Sequence, residues 1–275
     1  ELRGAPATPP IEHQRFTNQF SDLVLSPDGK KVAFVLRGDV FAGSSKDGGD
    51  AQRITSSPAR EYGVAWAPDS RRLFYVTPRE TQQQQLMLFD LTSRRETVLL
   101  TSADELGAPV VAPDGLSVAF VEGRRALKIL ALDAQQRRVV AQGFLPGNGG
   151  RMAWSPDSRS IAYVAVGPRG FANVHLVAAA ASAKPATPVM ISSLANFNAG
   201  DISWSPDGTF VTFVTGQRTE QHQVARVDLV LRTPQFREDR FRRLFELETP
   251  PSPPAPSARA TRWKRTREAV AAPPS

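Results

Sequence analysis

Apolar residues recur along this chain in one short pattern with a long period. A Pro-Asp pair stands at Pro27, Pro68, Pro113, Pro156 and Pro206, spaced by 41, 45, 43 and 50 residues. Counting from each proline as zero, position +5 is Val32, Leu73, Val118, Ile161 and Val211, and position +7 is Phe34, Tyr75, Phe120, Tyr163 and Phe213. Position +8 is valine every time (Val35, Val76, Val121, Val164, Val214), and +6 is Ala33, Phe74, Ala119, Ala162 and, as the exception, Thr212. In a β-strand, +5 and +7 point to one face and +6 and +8 to the other. A strand that is apolar on both faces must be covered on both sides, so each repeat predicts one strand of a sheet stacked between two others.

The residues before that strand predict its turn. In "SPDG" the proline presets φ, the aspartate bonds the backbone beyond it, and glycine takes a positive φ. Asp28, Asp69, Asp114, Asp157 and Asp207 hold the second position, and turn capping accounts for all of them. Gly29, Gly115 and Gly208 hold the third, which passes to Ser70 and Ser158 in repeats two and four. Trp66, Trp154 and Trp204 precede the proline by two residues, where a large ring can fill the gap between units; Leu25 and Val111 replace tryptophan, predicting thinner contacts there. A third strand follows each time, in "DVFAGS", "LMLFDL", "LKILALD", "NVHLVA" and "QVARVDL". A fourth is plain in "AQRITS" and "ETVLLTS" and weaker in "RRVVAQ" and "PVMISS". Four strands every forty-odd residues is the period of a β-propeller blade. A β-sandwich has no such long phase, and the coils of a β-helix are much shorter.

The consensus W-S-P-D-G-x-x-[IV]-A-[FY]-V resembles the WD40-like repeat of the TolB and tricorn-protease propellers, over residues 11–231. That resemblance implies an all-β array of about five four-stranded antiparallel blades, either a closed ring or an open arc of a larger propeller. Ile11–Thr17 reads as an outer strand, because "QRFT" at 14 aligns with "QRIT" at 52. It either completes the fifth blade or belongs to a blade upstream. Residues 1–10 are an extension ahead of it.

Beyond the blades, residues 232–248 predict a short amphipathic helix with Thr233 as cap and Pro234 in its first turn. Phe241, Leu244 and Phe245 form its apolar face. Residues 249–275 are proline-rich, basic and poor in apolar residues, a composition that cannot offset its ordering entropy, so they read as a tail or linker. Five such repeats followed by this segment resemble the front part of the bacterial tricorn-like proteases. The resemblance implies a serine peptidase domain further along the same polypeptide, and no catalytic residue of that domain falls in this sequence. Glu1 rather than Met leads the chain, so it reads as a mature form or a piece of something longer.

Charge and composition narrow the function. Of the net charge of +7, +5 lies in residues 232–275, and a nearly neutral body is a poor phosphate-tracking surface, so nucleic acid is not an expected partner. No apolar run reaches the roughly eighteen residues of a membrane span. Cysteine is absent, which removes disulfides and thiolate metal sites without choosing a compartment. His13, His175 and His222 fall at unrelated repeat positions, so no metal site or other cofactor is expected. No GxSxG elbow is present, and "GFLPGNGG" at 143 lacks the Lys-Ser/Thr of a phosphate loop and reads as a loop between blades. The chain is therefore expected to be a non-catalytic propeller that binds protein or peptide, or gates a protease in cis. The alternatives are a stand-alone periplasmic interaction protein of the TolB kind and, less favoured, a propeller lyase.

Overall fold

A computed structural model of the chain describes residues 18–78, 83–146, 151–180, 186–216 and 222–230. The chain divides at Val230 into two units. The second unit, with the expected helix and tail, lies outside the described residues, as do Ile11–Thr17 and His13.

The first unit is an all-β, five-bladed propeller. Blade 1 is β1 (Phe20–Leu25), β2 (Lys31–Leu36), β3 (Asp39–Ser44) and β4 (Gln52–Arg53). Blade 2 is β5 (Tyr62–Trp66), β6 (Arg72–Thr77), β7 (Gln84–Asp90) and β8 (Arg95–Ser102). Blade 3 is β9 (Val110–Val111), β10 (Ser117–Glu122), β11 (Ala126–Ala131) and β12 (Arg137–Gln142). Blade 4 is β13 (Met152–Trp154), β14 (Ser160–Val166), β15 (Ala172–Ala178) and β16 (Val189–Met190). Blade 5 contributes β17 (Asn198–Trp204), β18 (Phe210–Gly216) and β19 (Gln223–Asp228) among the described residues. Every sheet is an antiparallel meander in chain order.

The alternation along the second strands sets how blades stack. Ala33 and Val35 of blade 1 share a core with Trp66, Leu73 and Tyr75 of blade 2. Phe74 and Val76 meet Val118 and Phe120 of blade 3. Ala119 and Val121 meet Trp154, Ile161 and Tyr163 of blade 4, and Ala162 and Val164 meet Val211 and Phe213 of blade 5. The rule is uniform: the +6/+8 face of one blade covers the +5/+7 face of the next.

Two hydrogen-bond series reinforce this stack. The indole N–H of Trp66 donates to the Val24 carbonyl at 3.2 Å, that of Trp154 to Val110 at 2.9 Å, and that of Trp204 to Ala153 at 3.1 Å. Each tryptophan thus satisfies its indole donor on the first strand of the preceding blade. In the turns, Asp28, Asp69, Asp114, Asp157 and Asp207 each accept, through Oδ1, the N–H two residues on. Ser70 and Ser158 adopt φ of 57° and 59°, in the left-handed region where Gly29, Gly115 and Gly208 also sit. Their hydroxyls accept the Asp28 and Asp114 N–H groups of the preceding turns, each at 3.0 Å. A bond to the neighbouring blade therefore offsets the strain of a serine at this site.

Two expectations are corrected. The first concerns the fourth strands of blades 1 and 3: β12 runs its full length where a weak strand is expected and β4 keeps two residues where a plain one is, whereas β8 is strong and β16 weak as the sequence indicates. The chain leaves the ladder early after β4 because Thr55 Oγ1 accepts the Val40 N–H at 2.8 Å, and Ser192 Oγ does the same for Val174 at 2.9 Å. The second correction concerns blade 1. Leu73, Tyr75, Val118, Phe120, Ile161, Tyr163, Val211 and Phe213 are buried, but Val32 and Phe34 are only half-buried. Beside them Phe20 stacks edge-on and Phe41 face-on against Phe34, and Leu23 and Leu25 are exposed.

Candidate functional site: a phenylalanine–arginine surface

The meander gives the propeller two chemically different ends. One carries the tight turns between first and second strands. The other carries the hairpins between second and third strands and the longer loops that lead from each blade into the next. Loops free of the ladder can present side chains the core does not need.

On the loop end, blades 3 to 5 carry a contiguous aromatic and basic rim. It begins at the β10–β11 hairpin, where Arg124 lies over the Phe144 ring at 5.6 Å. The loop after β12 is pinned to that hairpin, since the Gly143 and Leu145 N–H groups donate to the Arg125 and Arg124 carbonyls at 3.0 and 2.9 Å. Leu145 is driven into the core at 1% exposure, which turns its neighbour Phe144 outward at 52%. The Phe144 carbonyl accepts the Val166 N–H at 2.9 Å, joining this loop to the hairpin of blade 4. That hairpin closes through Gly167 N–H on the Phe171 carbonyl, and Phe171 meets Phe197 with ring centroids 5.8 Å apart. Phe197 is 65% exposed, held outward because the preceding Asn196 is fully buried and accepts the Ala172 N–H on its carbonyl. Arg151, at the head of blade 4, reaches Asn198 Oδ1 at 3.2 Å. Arg125 and Arg169 are exposed beside the rim.

Three exposed or half-exposed phenylalanines within a few residues of four arginines are the composition of binding hot spots, in which aromatic and arginine side chains are enriched. None of these residues belongs to the repeat, and the sequence reading named none of them. The sequence signal for them is weak: in "GFLPGNGG" the glycines and proline predict a loop, and nothing marks its phenylalanine as exposed.

The residues the sequence singled out lie elsewhere. Tyr75, Phe120, Tyr163 and Phe213 sit between blades, Phe34 lies half-buried on the first face of blade 1 against Phe20 and Phe41, and Trp66, Trp154 and Trp204 sit at the inner edges of the blades. Pro27, Pro68, Pro113, Pro156 and Pro206 are exposed on the turn end with their aspartates. Four of those carboxyls, on Asp28, Asp69, Asp157 and Asp207, are held below their usual range. The Ser205 hydroxyl and the Thr209 N–H hold Asp207 down at about 2, and the Ser155 hydroxyl and the Arg159 N–H hold Asp157 below its usual range. His175 stacks on Tyr163 at 5.7 Å in blade 4, while His222 is exposed near Asn198. Among the described residues no group of three or more histidines or carboxylates is placed to hold a metal ion. No helix among them is long and apolar enough to cross a membrane.

No protein-family model and no curated protein sequence matches the chain. Solved structures do match its fold. The TolB candidate of Agrobacterium tumefaciens aligns with a TM-score of 0.61 at 17% identity, over 76% of this chain and 77% of that one. TolB of Acinetobacter baumannii aligns with a TM-score of 0.56 at 18% identity, over 76% of this chain and 50% of its own. The tricorn protease aligns with a TM-score of 0.59 at 14% identity, over 78% of this chain and 22% of its own. The chain thus spans half or less of two of these three proteins, and at such identities the likeness is one of fold.

Proposed function

We propose that this propeller is a protein-interaction module that binds a protein or peptide on the loop end of blades 3 to 5. The observation that carries this reading is the exposure of Phe144 and Phe197 in a rim that includes Phe171 and Arg124. A folded chain has little reason to hold such rings in water unless they are covered in use. Phe144 and Phe197 are more than half exposed, which suits a peptide or a protein loop better than a small molecule that must be enclosed.

Selection of a displayed random-peptide library against the propeller tests this directly. Enriched peptides are expected to lose at least about tenfold in affinity when Phe144 and Phe197 are both replaced by serine, the size of effect that removing two hot-spot aromatics produces. Peptides that bind this variant as tightly as the parent place the interaction elsewhere. Both positions are loop residues outside the blade cores, so the variant should retain the parent's urea midpoint.

A narrower form of the reading is that the surface gates or presents substrates to a serine peptidase domain in the same longer polypeptide, motivated by the likeness to the tricorn protease. A stand-alone, periplasmic TolB-like role is the alternative, favoured by the larger share (77%) of the Agrobacterium chain that is spanned. A coding sequence that runs on past Ser275 into a peptidase domain supports the first, and a stop codon there supports the second. Neither form requires a catalytic residue, metal or cofactor in this chain.

A further inference from the structure

The face that each second strand turns toward the next blade begins at position +4, occupied by Lys31, Arg72, Ser117, Ser160 and Phe210. Between blades 1 and 2, Lys31 fills the space beside the turns. Its ammonium donates to Asp28 Oδ2 at 3.0 Å and to the Ser70 carbonyl at 3.1 Å, and it lies 5.9 Å from the centroid of the Trp66 ring. The seat therefore has three walls: the carboxylate of one turn, a carbonyl of the next turn, and the indole of the next blade. Each is a recognised partner for an ammonium, by charge, hydrogen bond and ring quadrupole.

A basic side chain also serves the next two junctions. At blades 2 and 3, Arg72 Nε donates to Asp69 Oδ2 at 2.7 Å, and Val111 stands where the indole would be. At blades 3 and 4, position +4 is Ser117, but Arg138 of β12 reaches across to donate to the Ala179 carbonyl of blade 4.

Among the described residues, the junction of blades 4 and 5 has neither. Position +4 is Ser160, and the fourth-strand place held by Arg138, opposite Ile129, is taken by Val189, opposite Leu176. A cleft of about 480 Å³ opens here, lined among others by Asp157, Ser160, Leu176, Trp204, Gly208 and Leu229. Trp204 is correspondingly half-buried, whereas Trp66 and Trp154 are buried at 8% and 7%. By repeat position Asp157 matches Asp28, Gly208 matches Ser70, and Trp204 matches Trp66. The Ser155 hydroxyl and the Arg159 N–H both donate to Asp157 Oδ1, so the carboxylate's turn bonds leave Oδ2, the atom that in Asp28 receives Lys31. Among the described residues each wall of the Lys31 seat has its counterpart, and the ammonium has none.

We propose that this cleft binds a primary alkylammonium group, supplied by a lysine side chain of a peptide or by a free alkylamine. Leu176, Leu229 and the Trp204 ring would cover the methylene stem, and Asp157 with the Gly208 carbonyl would take the head. The site is on the turn end and does not depend on the phenylalanine rim. It was hidden in the sequence because it is defined by a missing side chain, visible only when equivalent junctions are compared in space.

The test is titration of the propeller followed by the indole N–H signal of Trp204 in a ¹H–¹⁵N spectrum, at constant ionic strength. The probes are n-butylamine, the peptide acetyl-Ala-Lys-Ala-amide, and n-butanol with the Nε-acetylated peptide as uncharged controls. The amine probes are expected to shift the Trp204 signal saturably while the controls leave it in place. Tighter binding of the lysine peptide identifies a protein ligand, and equal or tighter binding of butylamine identifies a free amine. Ser160→Lys should seat its own ammonium on Asp157 and abolish the shift, and Asp157→Asn should weaken it by about tenfold or more through loss of a charge-assisted bond. A Trp204 signal unmoved by amine in the parent protein, or a shift that persists undiminished in Ser160→Lys, overturns the proposal. The titration of the parent protein decides the matter even if a variant folds poorly.

Discussion

Phe120→Ala should lower the free energy of unfolding by about 3–5 kcal/mol, the range for a buried phenylalanine whose neighbours cannot close over the space. Phe120 is 1% exposed at the +7 place of β10, packed with Phe74, Leu86 and Leu130 between blades 2 and 3. Both sheets are fixed by their own ladders, so collapse into the cavity would require one blade to tilt against the other. The matched substitution Phe34→Ala, at the same repeat position of blade 1, should cost visibly less because that ring is only half-buried. Urea unfolding of the two variants side by side measures the difference. A loss below about 1 kcal/mol at Phe120 would show that the +7 ring is not enclosed between sheets.

Gly63→Ala is the second large effect. Gly63 sits in a bulge of β5 with φ of 68°, and a Cβ there would lie 2.8 Å from the Ala108 Cα and 3.1 Å from the Pro109 ring. The obstacle is backbone of the segment leading into blade 3, which cannot swing aside as a flexible side chain would. A left-handed alanine costs about 1–2 kcal/mol and overpacking a further 1–3 kcal/mol, so a loss of roughly 2–5 kcal/mol is expected. The Gly63 N–H also donates to Asp22 Oδ2 at 2.7 Å, tying blade 1 to the same spot. A variant as stable as the parent in urea would mean that blades 2 and 3 do not approach this closely.

The second strand and its turn were legible because they repeat. Five copies of one alternation report which faces are apolar, and the proline and aspartate mark where each strand begins. Burial at the array's first face was not legible. Phe34 has the same letter and phase as Phe120, yet enclosure depends on which sheet lies over it, and no residue within blade 1 encodes that. The one informative exception is Thr212, which replaces the apolar +6 residue of the other blades. Its cross-strand partner is Arg226, where the equivalent partners are Ala42, Leu88, Ile129 and Leu176. Blade 5 thus turns a more polar face away from blade 4, with Arg226 stacked over Phe210 at 3.7 Å.

In the sequence Ser70 and Ser158 merely stand where other repeats have glycine, and only the contact between successive turns shows why a hydroxyl is useful there. The phenylalanine rim was invisible for a related reason. Phe144, Phe171 and Phe197 occupy loops with no period, and their outward orientation is set by the burial of Leu145 and Asn196 beside them. The ammonium cleft needed the comparison of Lys31 with Ser160, two residues whose difference means nothing until both are known to face the same kind of junction.

The stacking of blade upon blade can be read most directly from the indole N–H protons. Those of Trp66, Trp154 and Trp204 should exchange with solvent at least about a hundredfold more slowly than free tryptophan, because each is hydrogen-bonded to the preceding blade and opens only when two blades part. Exchange of these three protons at the rate of free tryptophan, in protein that retains its β-sheet signal, would contradict the stacked-blade arrangement on which both proposed surfaces rest.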